Sequence, residues 1–170
     1  MEKRVFDQVW DQTRQKYGIY LRLLEAMPEA CYFSFPIPAM RTPAELMVHV
    51  SATIIRDIAQ GVAKGNITAD EASEGRIAKE LGKKAALIAF ARECWELADA
   101  AVARIGPAEL SATVPTPWGK SFPGWVAFNI QGDEFLHHRG QLYAYARACG
   151  VAPPSIYSFA ENAPEFRPSH

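Results

Sequence analysis

The chain has 170 residues, of which 49% are hydrophobic and 22% are charged, and its formal net charge at pH 7 is −1. This balance is ordinary for a folded globular protein, excludes a disordered chain, and predicts one domain over residues 1–170. The near-zero net charge and the lack of any Lys/Arg-rich block argue against a nucleic-acid partner.

The apolar stretches and the cysteines bear on the cellular compartment of the protein. Charges interrupt every apolar stretch well before the length of a membrane span, and the N-terminus lacks the apolar core of a signal peptide. The three cysteines, Cys31, Cys94 and Cys149, form no CxxC pair. We therefore expect neither a zinc knuckle nor a disulfide framework, and we predict a cytoplasmic protein.

Two long helices are predicted in the first half of the chain. Apolar residues recur at helical spacing over Lys3–Met27, and Pro28 ends that pattern. The second helix is predicted to begin after Thr42, which is followed by a proline at the first helical position and by Glu45. This spacing is typical of a capping box, and the helical pattern then continues to about Ala63.

Two more long helices are predicted in the second half, over about Lys83–Ile105 and about Pro123–Ala148. The polar segment "NITADEASEGR" before the third helix predicts at most a short helical turn, and Gly106–Gly124 predicts a loop with at most a short hairpin. Three residues of the irregular tail are expected to pack on the helices: Ile156, Tyr157 and Phe159. Four long amphipathic helices in one domain predict an all-α fold, a four-helix bundle.

The fourth helix contains the unusual stretch "DEFLHHRGQL". With about 100° of rotation per residue, this helix places Glu134 and His138 toward the core and Asp133 and His137 toward the flank. Glu134 and His138 are spaced i, i+4, so their side chains can converge on one point. The same helix is expected to present an apolar stripe at every seventh residue: Phe128, Phe135, Leu142 and Cys149.

Two further residues of this stretch invite interpretation. Arg139 is expected nearer the outside, where it either pairs with an acid or is solvated. Gly140 lies inside a helix, where glycine costs about 1 kcal/mol relative to alanine. Close approach of a neighbouring segment would compensate for that cost, and we predict such an approach.

A metal site is predicted from three polar residues on inward helix faces. His49 follows "AELMV" in the second helix, on the same face as Leu46 and Thr53, and it would join Glu134 and His138. Imidazole and carboxylate together suit zinc, iron, nickel or manganese, and bundles build such sites from facing helices. Two plainer readings stay open: a Glu134–His138 hydrogen bond within one helix, and a core histidine at position 49.

The stretch "HHRGQLYAYARACGVAPPSIY" resembles the last helix of DinB/YfiT-like proteins. His49, in an E-L-x-x-H context, stands where the first histidine ligand of that family would be, and His138 matches the histidine of its H-R-G-Q motif. The chain departs from the pattern at Glu134, where the family usually has a third histidine. The resemblance implies a four-helix bundle with a long connection between helices two and three, and a divalent metal.

The resemblance also bounds the function. Some relatives are thiol-dependent transferases or isomerases, so we expect a metal-dependent enzyme that acts on a small molecule by thiol transfer, isomerisation or hydrolysis. The metal would be nickel, zinc or iron, and a low-molecular-weight thiol is a candidate second substrate. The alternative is a non-catalytic bundle that binds a ligand or serves in stress and has lost the metal. The apolar content is compatible with a homodimer.

Overall fold

A computed structural model describes residues 1–168, and most of these residues are helical. The prediction of an all-α bundle is confirmed. The helices, in chain order, are α1 (Lys3–Ala26), α2 (Glu29–Tyr32), α3 (Pro43–Val48), a π-helical segment (His49–Asp57), α4 (Ile58–Lys64), α5 (Glu74–Leu81), α6 (Lys84–Val102), α7 (Pro107–Ser111) and α8 (Gly124–Ala148). Short 3₁₀ turns occupy Glu71–Ser73, Phe159–Glu161 and Pro164–Phe166.

The four predicted long helices are all present. The first is α1, the third is α6 and the fourth is α8. The second is a continuous rod made of α3, the π-helical segment and α4, called the second rod below. Their apolar faces meet in one core in which aromatic rings are prominent. Trp10 and Trp95 stack with ring centroids 4.9 Å apart, and Tyr17 packs against both Trp95 and Phe135. The stripe expected on α8 is confirmed for Phe128, Phe135 and Leu142, which are all buried.

The second rod begins as the sequence predicts and then departs from a regular α-helix. Thr42 and Glu45 form the capping box, with the Glu45 backbone N–H donating to Thr42 Oγ1 at 3.2 Å. His49–Asp57 is π-helical, a rare conformation that is frequent at functional sites. Buried Gln131 of α8 donates to the carbonyls of Ile54 and Ile55 in this segment, so α8 supplies hydrogen bonds to the π-helical backbone.

A long connection joins the second and third long helices, as the resemblance implies. It contains more helix than the single turn predicted from sequence, because Glu74–Leu81 forms α5. Buried Ala78 and half-buried Ile77 and Leu81 join α5 to the core. The connection thereby places the first residue of α5, Glu74, against the second rod.

The segment between α6 and α8 contains a small hairpin, within the limit that the sequence sets. Strand β1 (Thr113–Pro115) pairs antiparallel with β2 (Ser121–Pro123), with Val114 opposite Phe122. The tip of this hairpin carries Trp118, whose indole N–H donates to Glu71 Oε1 at 2.6 Å. The hairpin is thereby fixed beside the connection.

The expectation of unpaired cysteines is wrong. Cys31 and Cys149 form a disulfide, and the Cα atoms of the two residues lie 6.3 Å apart. The bond joins α2 to the residue that follows α8. Their separation of 118 residues leaves no local spacing that could reveal the pair. Cys149 is half-buried rather than a core residue, and Cys94 is a buried free thiol. Disulfides are typical of oxidising compartments, so the cytoplasmic prediction loses one of its grounds.

The tail packs on the bundle through residues other than those predicted. Ile156 is exposed, Tyr157 is 78% exposed, and Phe159 is only partly buried. The buried contacts come instead from Asn162 and Phe166, which lie against Gly18 of α1. Within residues 1–168, no helix combines the length and apolar character needed to cross a membrane.

Candidate metal centre

A cavity of about 560 Å³ opens beside the second rod and α8, close to the hairpin tip. Its walls are largely apolar, and its polar groups include both histidines of the predicted site. The lining residues are Met40, Arg41, Leu46, His49, Ile54, Ile58, Glu71, Trp118, Ile130, Glu134, His138, Gln141 and Tyr145. A concave, mostly apolar pocket with a few convergent polar groups is typical of a small-molecule site.

His49 is the first residue of the π-helical segment and is only 7% exposed. Its inward placement confirms the prediction from the buried face shared by Leu46 and Thr53. The Nδ1 atom of His49 lies 2.8 Å from Oε1 of Glu74. An ionised carboxylate only accepts hydrogen bonds, so Nδ1 carries a proton, and in the neutral imidazole Nε2 then holds the lone pair.

His138 reaches the cavity from α8, and its side chain is mostly buried. Its Nδ1 lies 2.9 Å from Oε1 of Gln141, and its Nε2 lies 3.3 Å from Oε2 of Glu134. His137 and Asp133 are exposed, so the predicted facing of the two adjacent histidines is confirmed. Unlike His49, His138 thus has an oxygen atom near each ring nitrogen, Gln141 Oε1 at Nδ1 and Glu134 Oε2 at Nε2.

Glu134 lies at the rim of the cavity rather than in the core, since its side chain is 47% exposed. The prediction that it enters the core with His138 is therefore only partly right. The i, i+4 contact between the two side chains is present at 3.3 Å. An exposed carboxylate avoids the cost of burying a charge and can rotate at little cost.

The two histidines meet across the bundle. The ring centroids of His49 and His138 are 4.8 Å apart, and the ring planes are perpendicular. In the described part of the chain, no group of three or more His, Cys, Asp or Glu side chains stands in an arrangement that could hold a metal ion. The structure thus brings together two imidazoles and one partly exposed carboxylate, not a finished three-ligand cluster.

A sequence model of the DinB superfamily matches residues 11–142. The chain belongs to the DinB superfamily. The matched region contains all three predicted ligands, and it ends just after "HHRGQL". No curated protein was found to match the chain.

The electrostatics of this DinB site centre on Glu74. Burial alone would raise the pKa of Glu74, but hydrogen bonds from His49 and Thr53, together with the nearby charges of His49 and Arg41, hold that pKa below its ordinary value. Burial lowers the pKa of His138, while its hydrogen bond with Gln141 opposes that shift. Glu74 is thereby kept as an anion and His138 as a neutral imidazole near pH 7.

Two expectations about the neighbouring residues of α8 are wrong. Gly140 is exposed, and a Cβ built on it would meet no other segment of residues 1–168 within 4 Å, so none of these segments approaches it closely. Arg139 is half-buried, with its guanidinium carbon 5.9 Å from the centroid of the Phe135 ring. Its buried NH1 finds no hydrogen-bond partner among the described residues, so Arg139 is neither fully solvated nor paired with an acid.

Sequence reasoning missed four residues that shape the site. Glu74 and Gln141 orient the two histidines, while Arg41 and Trp118 line the cavity. Glu74 sits in a polar segment with several other acids, so nothing in its local pattern distinguishes the buried carboxylate. Gln141 lies three residues after His138 on α8, and that i, i+3 spacing was a usable signal.

Proposed function

We propose that this DinB protein is a metal-dependent enzyme in which His49, Glu134 and His138 hold a divalent ion. The observation that supports this proposal best is the pairing of His49 and His138 beside one cavity. The Nδ1 of each imidazole lies within hydrogen-bond distance of an oxygen atom, as is usual for histidines that bind a metal through the other ring nitrogen. Nε2 is then the donor atom on both rings.

The donor set fits a borderline metal ion. Two imidazoles and one carboxylate suit zinc, nickel or iron(II), and such a set leaves coordination positions for other molecules. Glu134 completes the set after a rotation of its exposed side chain, which already contacts His138. A bound ion would supply Lewis acidity, which lowers the pKa of water or of a thiol, or polarises a carbonyl.

The cavity supports a small-molecule substrate. Its volume of about 560 Å³ falls in the range of ligand sites, and Leu46, Ile54, Ile58 and Ile130 offer apolar contacts. Arg41 is 43% exposed at its side chain and places a positive charge on the cavity wall. We propose thiol transfer, isomerisation or hydrolysis of a partly apolar small molecule, with a low-molecular-weight thiol as a candidate co-substrate.

Metal analysis of protein purified without an affinity tag tests the proposal. We expect close to one zinc or nickel ion per chain, or stoichiometric uptake when the ion is titrated into chelator-treated protein. His138→Ala should abolish that uptake. His137→Ala is the matched control, because it removes an adjacent but exposed imidazole, and it should retain uptake.

Two outcomes would contradict the proposal. The first is wild-type protein that takes up no zinc, nickel or iron, which would favour a non-catalytic, ligand-binding bundle. The second is loss of metal in His137→Ala with retention in His138→Ala, which would place the ligands on the exposed flank of α8.

A further inference from the structure

Glu74 presents a buried carboxylate to the candidate site although it is not one of the proposed ligands. It is the first residue of α5 and is 4% exposed. Its Oε1 lies 2.8 Å from His49 Nδ1 and 2.7 Å from Thr53 Oγ1, and its Oε2 lies 3.5 Å from the Arg41 guanidinium. Three groups from two segments of the chain, Arg41 before α3 and two residues of the π-helical segment, thus surround one carboxylate.

Stability alone is a poor reason for this arrangement. A buried ion pair often contributes no more stability than apolar residues of the same volume would. The hydroxyl of Thr53 and the guanidinium of Arg41 both compensate the Glu74 charge and hold its orientation. The oxygen that accepts from Thr53, Oε1, is also the one that faces Nδ1 of the His49 ring.

The two histidines are oriented by different kinds of acceptor. His49 faces a carboxylate, which can only accept a hydrogen bond. His138 faces the amide of Gln141, whose oxygen and nitrogen can exchange places by rotation, and the Gln141 nitrogen also lies 3.2 Å from His137 Nε2. The tautomer of His49 is therefore set by one carboxylate at Nδ1, whereas His138 has an amide oxygen at Nδ1 and the Glu134 carboxylate at Nε2.

We infer that Glu74 is a positioning residue for the metal centre: it orients the His49 ring and holds the tautomer with a proton on Nδ1, which leaves Nε2 as the donor atom. This inference rests on the proposed function for its consequence, tighter metal binding. A carboxylate that accepts a hydrogen bond from the other ring nitrogen of a ligand histidine has this effect in metal sites generally. Its loss typically lowers metal affinity about 10–100-fold.

Zinc titration of three full-length proteins tests the consequence. Glu74→Gln keeps the size of the side chain and removes its charge, and we expect zinc affinity to fall about 10–100-fold relative to wild type. Glu71→Gln is the matched control. It removes the same charge from the same cavity, but Glu71 contacts Trp118 and no histidine, so we expect a much smaller change.

The comparison of the two variants decides between positioning and general electrostatics. Equal losses in Glu74→Gln and Glu71→Gln would show that only the total negative charge matters, and they would overturn the inference. Unchanged affinity in Glu74→Gln would overturn it as well. If Glu74→Gln does not fold, Thr53→Val replaces it, since this change removes a hydrogen bond to the same carboxylate oxygen and should give a smaller loss in the same direction.

A second readout does not depend on metal. Nitrogen-15 correlation spectra of the chelator-treated protein report which ring nitrogen of His49 carries the proton. We expect only the Nδ1–H form in the wild type and a measurable fraction of the Nε2–H form in Glu74→Gln. A wild-type His49 protonated on Nε2 would overturn the inference even if zinc binds, whereas failure of zinc binding alone would refute only the proposed function and the consequence for affinity.

Discussion

Glu134 and His138 lie one turn apart on α8, with the carboxylate Oε2 of Glu134 3.3 Å from the imidazole Nε2 of His138. The same nitrogen is the one that Gln141 leaves open to the cavity, since Gln141 engages Nδ1. Glu134 therefore stands either as a second ligand to a shared ion or as a hydrogen-bond acceptor for an N–H on His138. Removing the charge of Glu134 would therefore change the metal affinity differently in the two roles.

We predict that Glu134→Gln weakens metal binding substantially, because it removes the anionic oxygen while preserving the size of the side chain. Glu134→His should retain a metal and shift preference toward nitrogen-favouring ions such as zinc or nickel. Competition titrations with zinc, nickel and iron(II) measure both effects. Asp133→Asn is the control. Asp133 is the neighbouring exposed acid, so this change should leave the metal affinity unaltered.

An affinity unchanged in Glu134→Gln would refute the carboxylate as a ligand. A Glu134→His protein that gains a metal absent from the wild type would show instead that this member of the superfamily has lost its site.

We predict that Gly140→Ala stabilises the protein by about 1 kcal/mol, the usual difference between glycine and alanine inside a helix. No atom lies within 4 Å of the added Cβ, so no packing cost opposes the gain. Urea unfolding measures the change. Gly18→Ala is the contrasting variant, because its Cβ would lie 2.5 Å from Phe166 Cβ, and it should destabilise the protein. A destabilised Gly140→Ala protein would restore the idea of a close approach at this position.

We predict one reactive thiol per chain in denatured protein purified without reductant, and three after reduction. The single thiol is Cys94, because Cys31 and Cys149 are paired. In the native protein near pH 8 even Cys94 should be silent, since burial raises its pKa to about 12. Cys31→Ser should expose two thiols on denaturation without reduction. Three thiols in unreduced wild-type protein would rule out the disulfide.

We predict that the stability difference between wild type and Glu74→Gln depends on pH. The folded-state pKa of Glu74 lies below its ordinary value of 4.5, so the unfolded chain takes up this proton at higher pH than the folded chain. The contribution of the ionised Glu74 is therefore present above about pH 4.5 and is lost as pH falls through the folded-state pKa. Near pH 7 we expect Glu74→Gln to cost about 1–3 kcal/mol.

Melting temperatures between pH 3 and pH 7, recorded with a chelator, measure that dependence. The gap between the two proteins should narrow toward pH 3. Glu80→Gln is the control, because its exposed carboxylate pairs with exposed Arg76 and such pairs contribute little. A gap of constant size across this range would contradict the depressed pKa of Glu74.

The long helices could be read from the sequence because their periodicity and caps are local signals. The second helix starts at the predicted Thr42–Glu45 capping box, and α6 lies within the predicted range of about Lys83–Ile105. The facing of His138 and His137 followed from helical rotation alone.

The remaining features depend on contacts between distant parts of the chain. The disulfide joins residues 118 positions apart, and Glu74 reaches His49 only because α5 folds back on the second rod. The π-helical segment is stabilised from α8 by Gln131, which no local pattern in residues 49–57 could reveal. The error at Gly140 arose because an energetic cost in a helix was assumed to need a packing reason.

An anomalous difference map from crystals grown with zinc would test the metal centre most directly. We predict one strong peak in the cavity, at about 2.0–2.2 Å from Nε2 of His49, Nε2 of His138 and a carboxylate oxygen of Glu134. A map without a peak in this cavity, or with its peak at His137 and Asp133 on the exposed flank of α8, would contradict the account.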